Sequence, residues 1–255
     1  MLPGWILVFA GVAGLAAGPA AAVEMSDRDL ARQYAACMAQ AETEPQDAFN
    51  MAIVWQDMGG GDAARHCAAK ALFFLGQFEE AARRFEALAQ DVKSGPKFKA
   101  ELLSHAAQGW MQDDSPERAD DILTAALKLN PEDPTLWVDR GLARAGLRSY
   151  RAAIADFDRA LELDPEMVDA YTFRATAHSY LEEMDAAAAD IERALALDSL
   201  NPDALLERGI LRRLGADAAG ARADWLLVIE MAPGTPAAAT AQANLQKLDL
   251  GDSGG

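Results

Sequence analysis

The sequence predicts an all-α protein built as a solenoid of stacked helical hairpins, and three observations predict it. Bulky and small residues recur in columns 34 residues apart, with Leu103, Trp137, Tyr171 and Leu205 in one and Ala107, Gly141, Ala175 and Gly209 in another. Within an arm the spacing is that of a helix face, as in Ile154, Phe157 and Leu161. Pro131, Pro165 and Pro233, with Ser199 in the equivalent place, close the units, and proline halts a helix because it lacks an amide donor and clashes with the preceding turn. A hairpin of this size cannot bury its apolar face alone, so successive hairpins stack.

Taken in order, residues 1–22 read as an export signal: the run is free of charged side chains, and Ala20, Ala21 and Ala22 supply the small residues of a cleavage site. Left uncut, the same run to Val23 is long enough to anchor the chain in a bilayer. Residues 23–99 hold a degenerate first unit, Asp27 to Glu42 with Gln46 to Met58, and a second unit around LGQFEEA, followed by a loop at Ser94, Gly95 and Pro96 that takes up four extra residues. Residues 100–233 carry four regular units, completed by the columns Ala119, Ala153, Ala187, Ala221 and Leu123, Phe157, Ile191, Trp225. Residues 234–255 supply one capping helix, with Gln242, Gln246 and Lys247 on its outer face, and a tail from Leu250.

These columns resemble the tetratricopeptide repeat, most closely at PTLWVDRGLARAGLRSYRAAIADFDRALELDP, residues 134–165, which departs from the pattern only where Arg148 and Ser149 replace the turn glycine. The resemblance implies a right-handed α-solenoid whose first helices line a concave groove that holds a peptide or an amphipathic helix of a partner protein. Carried over by register, the groove is made in the second unit by His66, Lys70, Phe73 and Phe74, and in the third by His105, Gln108 and Met111. Asp139 and Leu142 continue it in the fourth, Phe173, Thr176 and Tyr180 in the fifth, and Glu207, Ile210 and Arg213 in the sixth. The Lys and Asn set with which one subclass grips a C-terminal carboxylate is missing.

Nothing in the sequence points to catalysis, a metal or a cofactor. His66, His105 and His178 fall on separate units without helical zinc spacing, and no phosphate loop, dinucleotide fingerprint or nucleophile elbow is present. Acidic pairs such as Asp156 with Asp158 read as solvated charge. A net charge of −17 sets the molecule against nucleic acid and anionic lipid. The expected function is therefore a non-enzymatic scaffold of the cell envelope, periplasmic or secreted, with an accessory subunit of a periplasmic enzyme or secretion system, or a self-associating array, as the alternatives.

GGGDAARHCAAKAL, residues 59–72, reads as a turn entering a helix with Asp62 as its N-cap. The first helices of successive units lie side by side in the architecture that the resemblance implies. Cys67 then faces Cys37, and a disulfide leads over separate thiols or a redox site.

Overall fold

The computed structural model describes residues 26–252, so the expected export signal lies outside the described residues. Thirteen helices and no strand make up what is described. They pair into six hairpins: α1 (Asp27–Thr43) with α2 (Pro45–Asp57), α3 (Gly61–Phe74) with α4 (Phe78–Asp91), α5 (Pro96–Gln112) with α6 (Pro116–Leu129), α7 (Pro134–Gly146) with α8 (Tyr150–Leu163), α9 (Val168–Tyr180) with α10 (Met184–Leu197), and α11 (Pro202–Leu214) with α12 (Ala218–Met231). The final helix, α13 (Pro236–Asp252), packs on α11 and α12 and caps the stack; it continues through Leu250, where a tail was expected.

In α3–α4 Ala69 meets Phe85, and the four hairpins from α5–α6 to α11–α12 each close around a pair of residues, one small and one large, also sixteen positions apart, in which the sizes follow a rule. Where the small residue is alanine its partner is aliphatic, Ala107 with Leu123 and Ala175 with Ile191. Where it is glycine the partner is aromatic: a Cβ on Gly141 would stand 2.4 Å from the Phe157 ring, and one on Gly209 would stand 2.3 Å from the Trp225 indole. Packed interiors conserve summed volume rather than individual residues, so the pairs trade size across the interface.

The turns between paired helices solve one geometric problem with five different residues. Gly76, Asp114, Arg148, Glu182 and Ala216 occupy equivalent places, and all have positive φ, from 55° to 74°. The Arg148 departure therefore keeps the turn's geometry, and a Cβ is carried in the left-handed region at a cost of roughly 1–2 kcal/mol. In the first glycine stretch, Gly59 and Gly61 have positive φ, whereas Gly60 does not; its bare Cα instead admits Trp55, whose ring a Cβ would meet at 2.6 Å.

Two local expectations change. The four extra residues do not form a loop: Pro96 sits at the first turn of α5, and α5 has 17 residues where α7 has 13, so the insertion is one added helical turn. Asp62 does not cap α3, which starts from Gly60; its carboxylate instead meets Arg65, 3.4 Å away.

Cys37 and Cys67 form a disulfide, with Cα atoms 6.0 Å apart, tying α1 to α3. Both sulfurs lie in a core with Ala52, Trp55, Ala64 and Ala68. No helix among the described residues is long and apolar enough to cross a membrane.

Candidate partner-binding groove

The odd-numbered helices form a continuous wall. From α5 onward each touches the next odd helix, α5 to α7, α7 to α9, α9 to α11 and α11 to α13, while the even helices make no comparable contact with one another. Helices that approach their counterparts in the next unit lie on the inside of a curved stack, and those that splay apart lie outside. The inner wall therefore consists of the odd helices.

Inter-unit contact decides which side chains of that wall remain open. One column, His66, Ser104, Val138 and Thr172, is closed off between neighbouring helices, each of its members being 8% exposed or less. His66 is thus a core residue and not a groove residue: it is 2% exposed, its Nδ1 lies 2.8 Å from the Tyr34 hydroxyl, and the rings of Phe85, Phe98 and His105 surround it. Burial, with the nearby His105 and Lys70, pushes its pKa down to about 4, so the ring is neutral at physiological pH.

The other expected residues divide between three cavities and the walls around them. Lys70, Phe73, Phe74, His105 and Gln108 line a cavity of about 140 Å³ between α3 and α5, with Phe85 and Glu42 completing it. Leu142, Phe173, Thr176 and Tyr180, with Ala145, Tyr150, Phe157 and Ala177, line a second of about 140 Å³. Ile210 and Arg213 border a third of about 230 Å³, beside Trp225 and α13. Tyr150 and Tyr180 stack face to face at 4.7 Å, and Tyr180 remains 65% exposed. Met111 packs into the core shared by α5, α6 and α7.

Asp139 and Glu207 stand half-buried and buried on the same wall. Asp139 accepts a hydrogen bond from the Ser104 hydroxyl at 2.9 Å, and burial raises its pKa from its ordinary value. Glu207 is 8% exposed, bonds Thr176, and is pushed up to about 7 by burial. Asp203, more exposed on the same wall, is raised by partial desolvation and by the neighbouring Asp169.

A different set of carboxylates escaped sequence reasoning. Asp156 is a buried acid rather than a solvated one: Arg140 grips it through Nε at 3.0 Å and Nη2 at 2.7 Å, and Arg144 adds a bond at 2.8 Å. The same bidentate fork joins Arg174 to Asp190 and Arg208 to Asp224. The residues recur every 34 positions, so the signal was present as a polar column within the apolar ones. Arg140 also reaches Thr124, and Arg174 reaches Asp158, each on the preceding hairpin, so the fork stitches adjacent units as well as the two helices of one unit.

Among the described residues no group of three His, Cys, Asp or Glu side chains is placed to hold a metal ion. Family models described as tetratricopeptide repeat match residues 107–178 and 168–199. The fold is similar to MamA from Desulfovibrio magneticus, residues 41 to its end, at 18% identity and a TM-score of 0.57, over 69% of this chain and 97% of that one. A crystal structure of MamA is similar at 19% identity and a TM-score of 0.54, over 64% and 92%. A search of curated proteins gave no match.

Proposed function

The chain belongs to the tetratricopeptide-repeat family, and we propose that it is a non-enzymatic scaffold of the cell envelope that holds a segment of a partner protein against its inner wall. The observation that carries this reading is the row of cavities between successive odd helices. Aromatic side chains line each of them, with Leu142 in the second and Ile210 and Leu214 in the third, and polar groups such as Lys70, Gln108, Arg213 and Asn244 stand among them. A segment lying across the wall gains affinity by seating apolar side chains in these cavities, while groups around them set its register.

Export is supported by the apolar, charge-free residues 1–22 and by the disulfide, a bond that persists in oxidising compartments. A photocrosslinking residue placed at Tyr180, which is exposed and borders the second cavity, tests the reading in living cells. The expected result is one or a few discrete crosslinked proteins. The Tyr180→Ser variant should lose partner capture while keeping its thermal stability, and unchanged capture would sink the groove assignment. A self-associating array would instead give crosslinks only between copies of the chain, with a mass in solution that rises with concentration.

A further inference from the structure

We infer that the occupant of the groove is a cationic segment, in which apolar anchors alternate with Lys or Arg side chains. This deepens the scaffold reading and rests on it. Two groups of carboxylates in this molecule contrast. Those between paired helices, Asp156, Asp190 and Asp224, are each gripped by an arginine. Those of the inner wall are not: among the described residues, Asp139, Asp169, Asp203 and Glu207 form no ion pair, although Glu207 is as buried as Asp190. Neutral groups are their partners instead: Ser104 and Gln108 for Asp139, and for Glu207 the Thr176 hydroxyl, which itself donates to the Thr172 carbonyl.

The molecule therefore matches arginine to each of these structural acids and leaves Asp139, Asp169, Asp203 and Glu207 without an ion pair, whereas Glu42 at the first cavity is held by Lys70 at 2.6 Å. Half-buried Asp139 and buried Glu207 gain from an incoming cation, which restores the pairing that burial removed, and exposed Asp169 and Asp203 add to the negative field beside them. The apolar cavities and the acids alternate along the wall. First comes the cavity of Phe73, Phe74 and Phe85, then Asp139 on α7, then the cavity of Phe173 and Tyr180, then Asp203 and Glu207 on α11. Neighbouring packed helices lie about 8–10 Å apart. Two such steps separate the cavities, roughly 20 Å, which an extended chain covers in about six residues. The matching segment carries two bulky apolar anchors about six residues apart, with basic residues between them and after the second.

Two synthetic peptides test this by fluorescence anisotropy against the folded chain with its disulfide intact. Both carry phenylalanine at the two anchor positions; one has lysine at the intervening and following positions, the other glutamate. The lysine peptide should bind at least tenfold more tightly at low salt, and the difference should shrink as salt rises. The combined variant Asp139→Asn, Asp203→Asn, Glu207→Gln should abolish the discrimination without loss of helical content. Discrimination that survives this variant would place the cation elsewhere and overturn the inference. Equal binding of the two peptides, or none, while Tyr180 still crosslinks to a partner protein, overturns this inference alone. No binding together with no crosslink removes the groove reading, and the inference with it.

Discussion

Glu207 and His66 show how burial by a neighbouring helix turns an ordinary side chain into a pH-dependent term in stability. The folded pKa of Glu207 is raised to about 7 from 4.5, so the folded state holds a proton that the unfolded chain releases. Stability contributed by this group is greatest below pH 4.5 and falls as pH rises through 7, by on the order of 3 kcal/mol. Glu207→Gln keeps a hydrogen-bonding group without the charge. The variant should be more stable than the parent by about that amount in urea melts at pH 8 and indistinguishable from it at pH 4; parallel melts at both would show that Glu207 ionises freely. His66 acts in the opposite sense. Its pKa is lowered from 6.5 to about 4, so its contribution is fully present above pH 6.5 and is lost as pH falls toward 4. Neither effect was legible in the sequence. His66 and Glu207 stand at helix positions that face a groove by register, and only the approach of the next odd helix buries them.

At the scale of the element, the interhelical turn and the small-large pair make separate predictions. Ala216, with φ 64°, has a side chain that contributes little beyond its strain, so Ala216→Gly should raise stability by about 0.5–1 kcal/mol. Glu182→Gly should do the same, and Asp114→Gly less, because aspartate tolerates the left-handed region better. Thermal melts giving the largest gain at Asp114 would contradict the strain account. Gly141→Ala pushes a methyl into Phe157 and should cost about 1–3 kcal/mol. Adding Phe157→Ile reproduces the pairing of Ala175 with Ile191, and a double-mutant cycle should show recovery of much of the loss. If the double variant is as unstable as the sum of the singles, the two positions do not trade volume. The columns themselves were plain in the sequence, because they repeat. The coupling between columns was not, since it joins two helices that only the hairpin brings face to face. The longer α5 was likewise hidden: Ser94, Gly95 and Pro96 carry turn chemistry, yet proline also opens helices, and here it does so.

As a whole the molecule behaves as a stack in which each hairpin contacts mainly its neighbours, so a perturbation at one end should stay there. The disulfide encloses a separation of 30 residues at the N-terminal end of the stack, and closing that loop in the unfolded chain is worth about 3.6 kcal/mol. Reduction should therefore raise amide exchange in α1, α2 and α3 while leaving α7 to α13 unchanged; uniform acceleration along the chain would mean that the solenoid unfolds as one cooperative unit. The sequence by itself determined the all-α class, the 34-residue hairpins, the cysteine pair and the wall on which side chains such as Phe173 and Tyr180 stand. These follow from periodicity and from residue size, which are local and repeat. The tertiary structure alone decided which wall residues stay open, which acids receive an arginine and which are left without one. Burial and charge compensation depend on what a different hairpin brings into contact, and no spacing along one helix encodes its neighbour's approach.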